Sequence, residues 1–484
     1  MADRNLIREL EAIVGRDAVI HAPEDLLVYE YDATIERGLP EAVVLPTSAQ
    51  QVSQIVKLAR RHGLPVTARG AGTGLSGGSI PTAGGIILVM TRMKRILEID
   101  PENRLAVVET GVVNLDLSAT LSRYDLCYAP DPSSQKVCTL GGNVAENAGG
   151  PHCLAYGVTT NHVLGVEVVL ADGQIVWLGG KTADRSGYDL RSLVIGSEGT
   201  LAIITKIILR LLPLPEATIT LLAIFDEMEQ ASQAVSTIIS KGILPAALEM
   251  IDKMTMRAVE EAVHAGYPPD ADAVLLIEVE GLRDSVGEQA EAVRAVCEST
   301  GAREVRIGFS PGERQALWAG RKGALGALGR LAPSYYILDG TVPRTKLPQV
   351  LRGVYQVGEK YGFPIANVFH AGDGNLHPNI PFDESQPGQV EKVLEAGAEI
   401  MRLCVDAGGT ITGEHGVGME KRDFMRWIFS DDDLEVMMRI QVAFASGQPF
   451  NPGKIFPAAI GSGEITSPRR VGAVIQALGP DAYI

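Results

Sequence analysis

The chain has 484 residues, which suits two or three domains with ample core. Hydrophobic residues make up 46% and charged residues 21%, so a disordered or fibrous protein is excluded. The formal net charge of -16 repels nucleic acid and anionic membrane, so an anionic ligand needs a local cationic site.

The opening MADRNLIRELEAIVG is charged and amphipathic, without an apolar signal core, and predicts an N-terminal helical segment over 1–38. No apolar run is long enough to span a bilayer, so the expected location is the cytoplasm. Residues 42–46 read as a strand. Ser48 and Gln51 spell a capping box, Val52, Ile55, Val56 and Ala59 recur at helical spacing, and Gly63 closes the helix before a strand at 65–69. Further strands are expected at 86–90, 105–109, 165–171 and 202–212, and Pro213 and Pro215 mark a boundary, giving one domain over 39–215. From Thr218 a strand (218–224), helix (226–240), strand (246–251), helical insertion, strand (AVLLIEVEG), helix (283–300) and strand (303–308) follow. That order predicts a ferredoxin-like sheet in a second domain, 216–415. A helical segment at 416–457 and a loosely held tail at 458–484 complete an α+β chain. The five cysteines, Cys127, Cys138, Cys153, Cys297 and Cys404, form no CxxC, which argues against an iron–sulfur or zinc centre and for reduced thiols.

Three glycine-rich segments stand out. In RGAGTGLSGG, Gly72, Gly74 and Gly77 spell GxGxxG, but Gly78, Pro81, Gly84 and Gly85 follow, and no helix can aim its N-terminus at a dinucleotide pyrophosphate. A nicotinamide site is therefore rejected in favour of bare backbone N–H groups wrapped around a phosphate, the plain alternative being a mobile surface loop. PDPSSQKVCTLGGNVAENAGGPHCLAYG (130–157) adds glycine pairs with Ser, Thr and Asn donors and shows no regular periodicity. IGSEGTLAIIT (195–205) adds Gly196 and Gly199 beside a strong strand. One ligand of dinucleotide size is the economical reading.

Two motifs hold three of the eight histidines and a glutamate. In NVFHAGDGNLHPNI, Asp373-Gly374 signals a two-residue hairpin turn, and counting outward sets His370 opposite His377, with Cβ atoms about 5 Å apart. Such a pair could share a metal ion, or be a structural histidine pair. In GGTITGEHGVG, Glu414 and His415 stand between glycines. Arg321 lies in LWAGRKGALGAL, a helix otherwise rich in Ala, Leu and Gly, and is either a solvated arginine or a carboxylate clamp.

The three loops and the two His motifs resemble the FAD-linked 2-hydroxy acid dehydrogenases of the vanillyl-alcohol oxidase type, from about residue 40 to Pro457. The catalytic subunits of glycolate oxidases are nearest, and the D-lactate and D-2-hydroxyglutarate dehydrogenases come next. The resemblance implies a two-part FAD-binding domain, a substrate (cap) domain, and a C-terminal segment returning to the FAD domain. FAD would lie against Arg69, Gly70, Ala71, Gly72, Thr73, Gly74, Ser76 and Gly77 of the first loop. The second would contribute Pro130, Asp131, Ser133, Thr139, Gly141, Gly142, Asn147, Ala148, Gly149, Gly150, Tyr156 and Gly157. Glu198, Gly199 and Ile204 come from the third, with Asn451 beyond them. Relatives that attach flavin covalently use a His in the first loop; GAGTGLS has none, so FAD is expected to be noncovalent. The resemblance also implies a divalent metal (Zn, Mn or Fe) on His370, His377 and Glu414. It makes His415 the acid/base, and Arg321, Asn375 and His415 the substrate contacts.

The expected reaction is oxidation of a small 2-hydroxy acid, glycolate or D-lactate, by hydride transfer to flavin. Ile337 and Leu338 stand before DGTVPR where hydroxyglutarate-type relatives carry a Lys, which disfavours a dicarboxylic substrate. Electrons are expected to pass to a second FAD-domain subunit and an iron–sulfur subunit, with membrane contact only peripheral. The rivals are a self-sufficient D-lactate or D-2-hydroxyglutarate dehydrogenase, a metal-dependent hydrolase, and a non-catalytic flavin-binding subunit. Some relatives in glycolate oxidase assemblies keep the FAD-domain likeness but lack the His motifs, which this chain retains at His370, His377, Glu414 and His415.

Overall fold

A computed structural model describes residues 3–182 and 186–457. The expected tail at 458–484 lies outside them. The chain forms two compact units. Unit 1 contains the residues up to Ala148, Val158–Pro213 and those from Glu414 onward; unit 2 contains Gly149–Gly157 and Leu214–Gly413.

Unit 1 has two main sheets. In the first, β1 (Val19–Ile20), β2 (Ala42–Val44), β3 (Val66–Arg69) and β4 (Ile86–Val89) lie in the order β1-β2-β4-β3. β2 and β3 both run parallel to β4, and β1 pairs antiparallel with β2. The helix Ala49–His62 connects β2 to β3, its apolar stripe buried through Val52, Ile55, Val56 and Ala59. Ser48 accepts from Gln51 N, and Gly63 at φ 65° ends the helix, as the sequence predicts. The capping box itself is not reciprocal: the Gln51 side chain accepts from Thr47 N instead.

The second sheet contains β5 (Ile96–Asp100), β6 (Leu105–Glu109), β8 (Val163–Val169), β9 (Ile175–Gly179) and β10 (Ile203–Arg210). Its order is β5-β6-β10-β8-β9, antiparallel throughout. A small ribbon joins β7 (Leu126–Cys127) to β11 (Leu212–Pro213). Ile207 and Leu209 of β10 are fully buried; each such side chain contributes about 1.5–3 kcal/mol.

Unit 2 is built on β12 (Ala217–Phe225), β13 (Ala247–Asp252), β14 (Ala273–Gly281) and β15 (Glu304–Gly308). The order β15-β12-β14-β13, antiparallel throughout, is the ferredoxin-like arrangement expected from the element order. The expected helices occur at Met228–Ser240 and Arg283–Ser299. Five further strands extend this framework: β16 (Ser334–Ile337), β17 (Gly340–Thr341), β18 (Ala366–His370), β19 (Asn375–Leu376) and β20 (Pro378–Phe382). β18 pairs with β13, so the histidine hairpin is an extension of the ferredoxin-like sheet. Among the described residues, no helix is long and apolar enough to cross a membrane. Cys138, Cys297 and Cys404 are buried, and burial raises their thiols, the last two to about 12, as inert core cysteines require.

Candidate active site

In unit 1 the glycine segments come together through close backbone approach. A Cβ on Gly70 would lie 2.3 Å from Thr139 Oγ1, and one on Gly141 would lie 2.9 Å from the Thr110 carbonyl. The residues from Gly70 to Gly85 form neither helix nor strand, as their glycines dictate. Residues 140–146 do form a helix, although the segment shows no periodicity. Thr139 caps it by accepting from Gly142 N, and Asn147 ends it at φ 56°. Gly141 serves close packing there rather than loop flexibility.

Asn451 ties the unit together. Its Nδ2 donates to the carbonyls of Gly78 (2.7 Å) and Glu198 (2.8 Å), its backbone N donates to Val66 O, and its Oδ1 accepts from Thr67 Oγ1. Glu198 sits at φ 53°, and its carboxylate accepts from Val417 N and Gly418 N. The first loop also carries a brace: Arg69 donates to Ser79 Oγ, and its guanidinium lies over the Tyr29 ring. Pro130 O accepts from Asn114 Nδ2, Ser133 is exposed, and Ile204 packs in the core under the second sheet. Ser76 Oγ and Ser197 Oγ are buried and make no hydrogen bond among the described residues. An unpaired buried polar group costs about 1–3 kcal/mol, so both loops fit a polar ligand.

Sequence reasoning missed a buried acid in this unit. Glu146 closes the 140–146 helix, and its carboxyl lies near Gly78, Gly416 and Glu198. Burial, then the Glu198 and Asp32 charges, raise it well above the usual carboxylate range, with Lys421 and Lys454 opposing. Lys454, also buried, falls to about 8. A raised folded-state value means this carboxyl costs no stability below the unfolded value near 4.5, and stability is lost as pH rises through the folded value. Glu146→Gln is therefore expected to raise the melting temperature at pH 8 by a few degrees and leave it unchanged at pH 4.5. Parallel thermal melts across that range check the sign.

In unit 2 the histidine hairpin differs from the expected register. His370 pairs with Asn375, not with His377. Asp373 Oδ1 accepts from Asn375 N, and Gly374 O accepts from Val342 N, so residues 371–374 form a wider loop than a two-residue turn. The histidines still meet, two positions along the same face: their ring centroids are 5.1 Å apart at 89°. His370 Nδ1 lies 2.7 Å from Glu249 Oε1, and His377 Nδ1 lies 3.2 Å from the Leu338 carbonyl. Both partners only accept, so each Nδ1 carries a proton, which leaves the two Nε2 atoms as the donors a divalent metal would use.

Arg321 is buried, not solvated. Gly320 and Gly323 of the helix Pro311–Leu328 explain why: Cβ atoms there would lie 2.4 Å from the Tyr267 ring and 2.7 Å from Val263. The bare face packs inward and carries the arginine with it. Arg321 Nε donates to Glu249 Oε2 at 2.6 Å. Glu249 was missed as well; an acid flanked by Leu248 and Met250 in the middle of the strand ALEMID is the signal that could have found it.

Thr341 and Thr410 exchange backbone hydrogen bonds, and a Cβ on Gly413 would lie 2.4 Å from the Asn375 side chain. The chain leading into Glu414 and His415 is thus held against β17 and the hairpin. Glu414 and His415 themselves open the last stretch of unit 1, where His415 Nε2 lies 3.7 Å from Glu414 Oε1. Of the second loop, Gly149, Gly150, Tyr156 and Gly157 belong to unit 2. There Tyr156 Oη donates to Glu280 (2.6 Å), and His152 stacks on Trp318 and meets Glu278 (3.2 Å).

Comparison with known proteins bears directly on these loops and motifs. Residues 40–179 match an FAD binding domain, and residues 214–455 match the C-terminal domain of FAD linked oxidases. The glycolate oxidase subunit GlcD of Escherichia coli (strain K12) is 46% identical over 91% of this chain and 88% of its own. The chain belongs to the FAD-linked oxidases. Among the other members, GlcD of Bacillus subtilis (strain 168) is 41% identical (94% of this chain, 97% of its own), and a D-lactate dehydrogenase of Archaeoglobus fulgidus is 35% identical (93% and 98%). A crystal structure of p-cresol methylhydroxylase has the same fold, with a TM-score of 0.77 at 16% identity over 95% of this chain and 98% of its own. This member of the FAD-linked oxidases is an FAD-dependent oxidoreductase.

Proposed function

We propose that the protein oxidises a small 2-hydroxy acid, glycolate or D-lactate, to the 2-oxo acid. The observation that carries this reading is the buried Arg321–Glu249–His370 array beside His377, a cation for the carboxylate next to imidazole donors for a metal. The named activities of the GlcD and D-lactate dehydrogenase relatives support it.

Arg321 holds the substrate carboxylate through its two Nη groups, since Nε is committed to Glu249. His370 and His377, with Glu414, would hold a divalent metal, which would supply Lewis acidity toward the hydroxyl oxygen. Asn375, opposite His370, orients that hydroxyl. His415 takes the hydroxyl proton, and FAD, when bound, would supply the acceptor for the C2 hydrogen and its electron pair. The FAD contacts are the residues of the three glycine loops named above, without a covalent bond. Electrons then pass to partners, a second FAD-domain subunit and an iron–sulfur subunit, at the cytoplasmic face of the membrane.

The test is anaerobic mixing of the purified yellow protein with glycolate, D-lactate, L-lactate and D-2-hydroxyglutarate. Bleaching by glycolate or D-lactate, and release of free FAD on acid denaturation, are expected. Bleaching by none of the four refutes the substrate class.

A further inference from the structure

We infer that Glu249 is a positioning residue that couples the carboxylate clamp to the metal-binding hairpin, an inference that rests on the metal reading above. Glu249 lies on β13 directly opposite His370 of β18, and no part of it reaches solvent. Its two oxygens serve two different groups: Oε1 accepts from His370 Nδ1 at 2.7 Å, and Oε2 accepts from Arg321 Nε at 2.6 Å.

Only a carboxylate suits this place. Both neighbours donate, so the residue between them must accept on both sides; a glutamine would turn its NH2 toward one of them. Glu249 has no solvent to share, so these two donors are its surroundings.

Each bond sets a functional geometry. A carboxylate on Nδ1–H fixes the imidazole tautomer and makes Nε2 a stronger metal donor. Holding Nε also fixes the plane of the guanidinium, so that its Nη edge presents a fork to a carboxylate. One rigid side chain thus sets both the metal ligand and the clamp. Where two ligands bind through a shared element, each changes the affinity for the other by the same factor. Metal and hydroxy acid are accordingly coupled through Glu249, in addition to any direct contact between them.

The experiment uses the full-length, flavin-loaded protein. Zinc affinity is measured by chelator competition, and kcat and KM are measured at saturating zinc with the hydroxy acid that bleaches the flavin. For Glu249→Gln, the zinc dissociation constant is expected to rise about 10–100-fold. KM should rise by about tenfold or more, with FAD content unchanged. Arg321→Lys should raise KM while leaving zinc affinity within about threefold, and the double variant should raise KM no further than the larger single effect. A purely structural role would lower the melting temperature and flavin content without moving zinc affinity and KM together. If Glu249→Gln does not accumulate, Glu249→Asp keeps the charge, shortens the reach, and is read in the same way.

Glu249→Gln that shifts neither quantity, or only one, overturns the coupling. Additive KM effects in the double variant overturn it too. Wild-type protein that binds no zinc overturns the metal reading itself and the metal half of this inference. That outcome is recognised before any variant is made.

Discussion

Replacing His377 with alanine is expected to abolish substrate-driven bleaching of the flavin while leaving FAD bound. His377 stands on a hairpin of unit 2, whereas the glycine loops from Arg69 to Gly77 and from Thr139 to Ala148 belong to unit 1, so the substitution leaves flavin retention alone. What is lost is one of two imidazoles whose rings lie 5.1 Å apart. A metal ion contributes several kcal/mol of charge stabilisation to a transition state, so the reduction rate should fall by about 10³-fold or more. Stopped-flow reduction together with metal analysis checks this. Full metal content and a wild-type reduction rate in His377→Ala would sink the assignment.

A second large effect is expected at Arg321. Arg321→Met keeps much of the side-chain volume but leaves the fully buried Glu249 carboxylate without its guanidinium partner. Breaking a buried ion pair from one side costs about 3–5 kcal/mol, because the remaining charge has nowhere to go. The variant should therefore melt well below the wild type and also lose saturable kinetics with the hydroxy acid. Arg321→Met/Glu249→Leu removes both charges and is expected to recover most of the stability and none of the activity. Calorimetry separates the two effects. An Arg321→Met protein with wild-type stability would mean that Glu249 is compensated by another group.

Much of the architecture is legible because it rests on local rules. Ser48 and Gly63 announce the ends of one helix, and the order of elements from Thr218 to Gly308 sets out a ferredoxin-like sheet. What was not legible depends on distant partners. The hairpin register is set by Val342 pairing with Gly374, a contact that no count along 367–380 contains. The 140–146 helix is invisible to periodicity, because Gly141 is chosen to fit beneath Thr110. The His and Glu motifs are conspicuous by type and spacing. Glu249 and Glu146 are not, since an acid set among apolar neighbours acquires meaning only when the fold shows what faces it.

The threading of the chain has a consequence for biosynthesis. Asn451 bonds to Thr67, a sequence separation of 384 residues, and reaches Gly78 across 373. Contacts of such long range form late, because closure of the intervening loop must come first. While the ribosome works, unit 2 can be assembled from residues already made, but the flavin unit waits for the segment that carries Asn451. A nascent chain stalled before Asn451 would leave the first glycine loop without its brace. Cofactor loading is thus tied to synthesis of the segment around Asn451, and products terminated before it should emerge colourless and open to proteolysis.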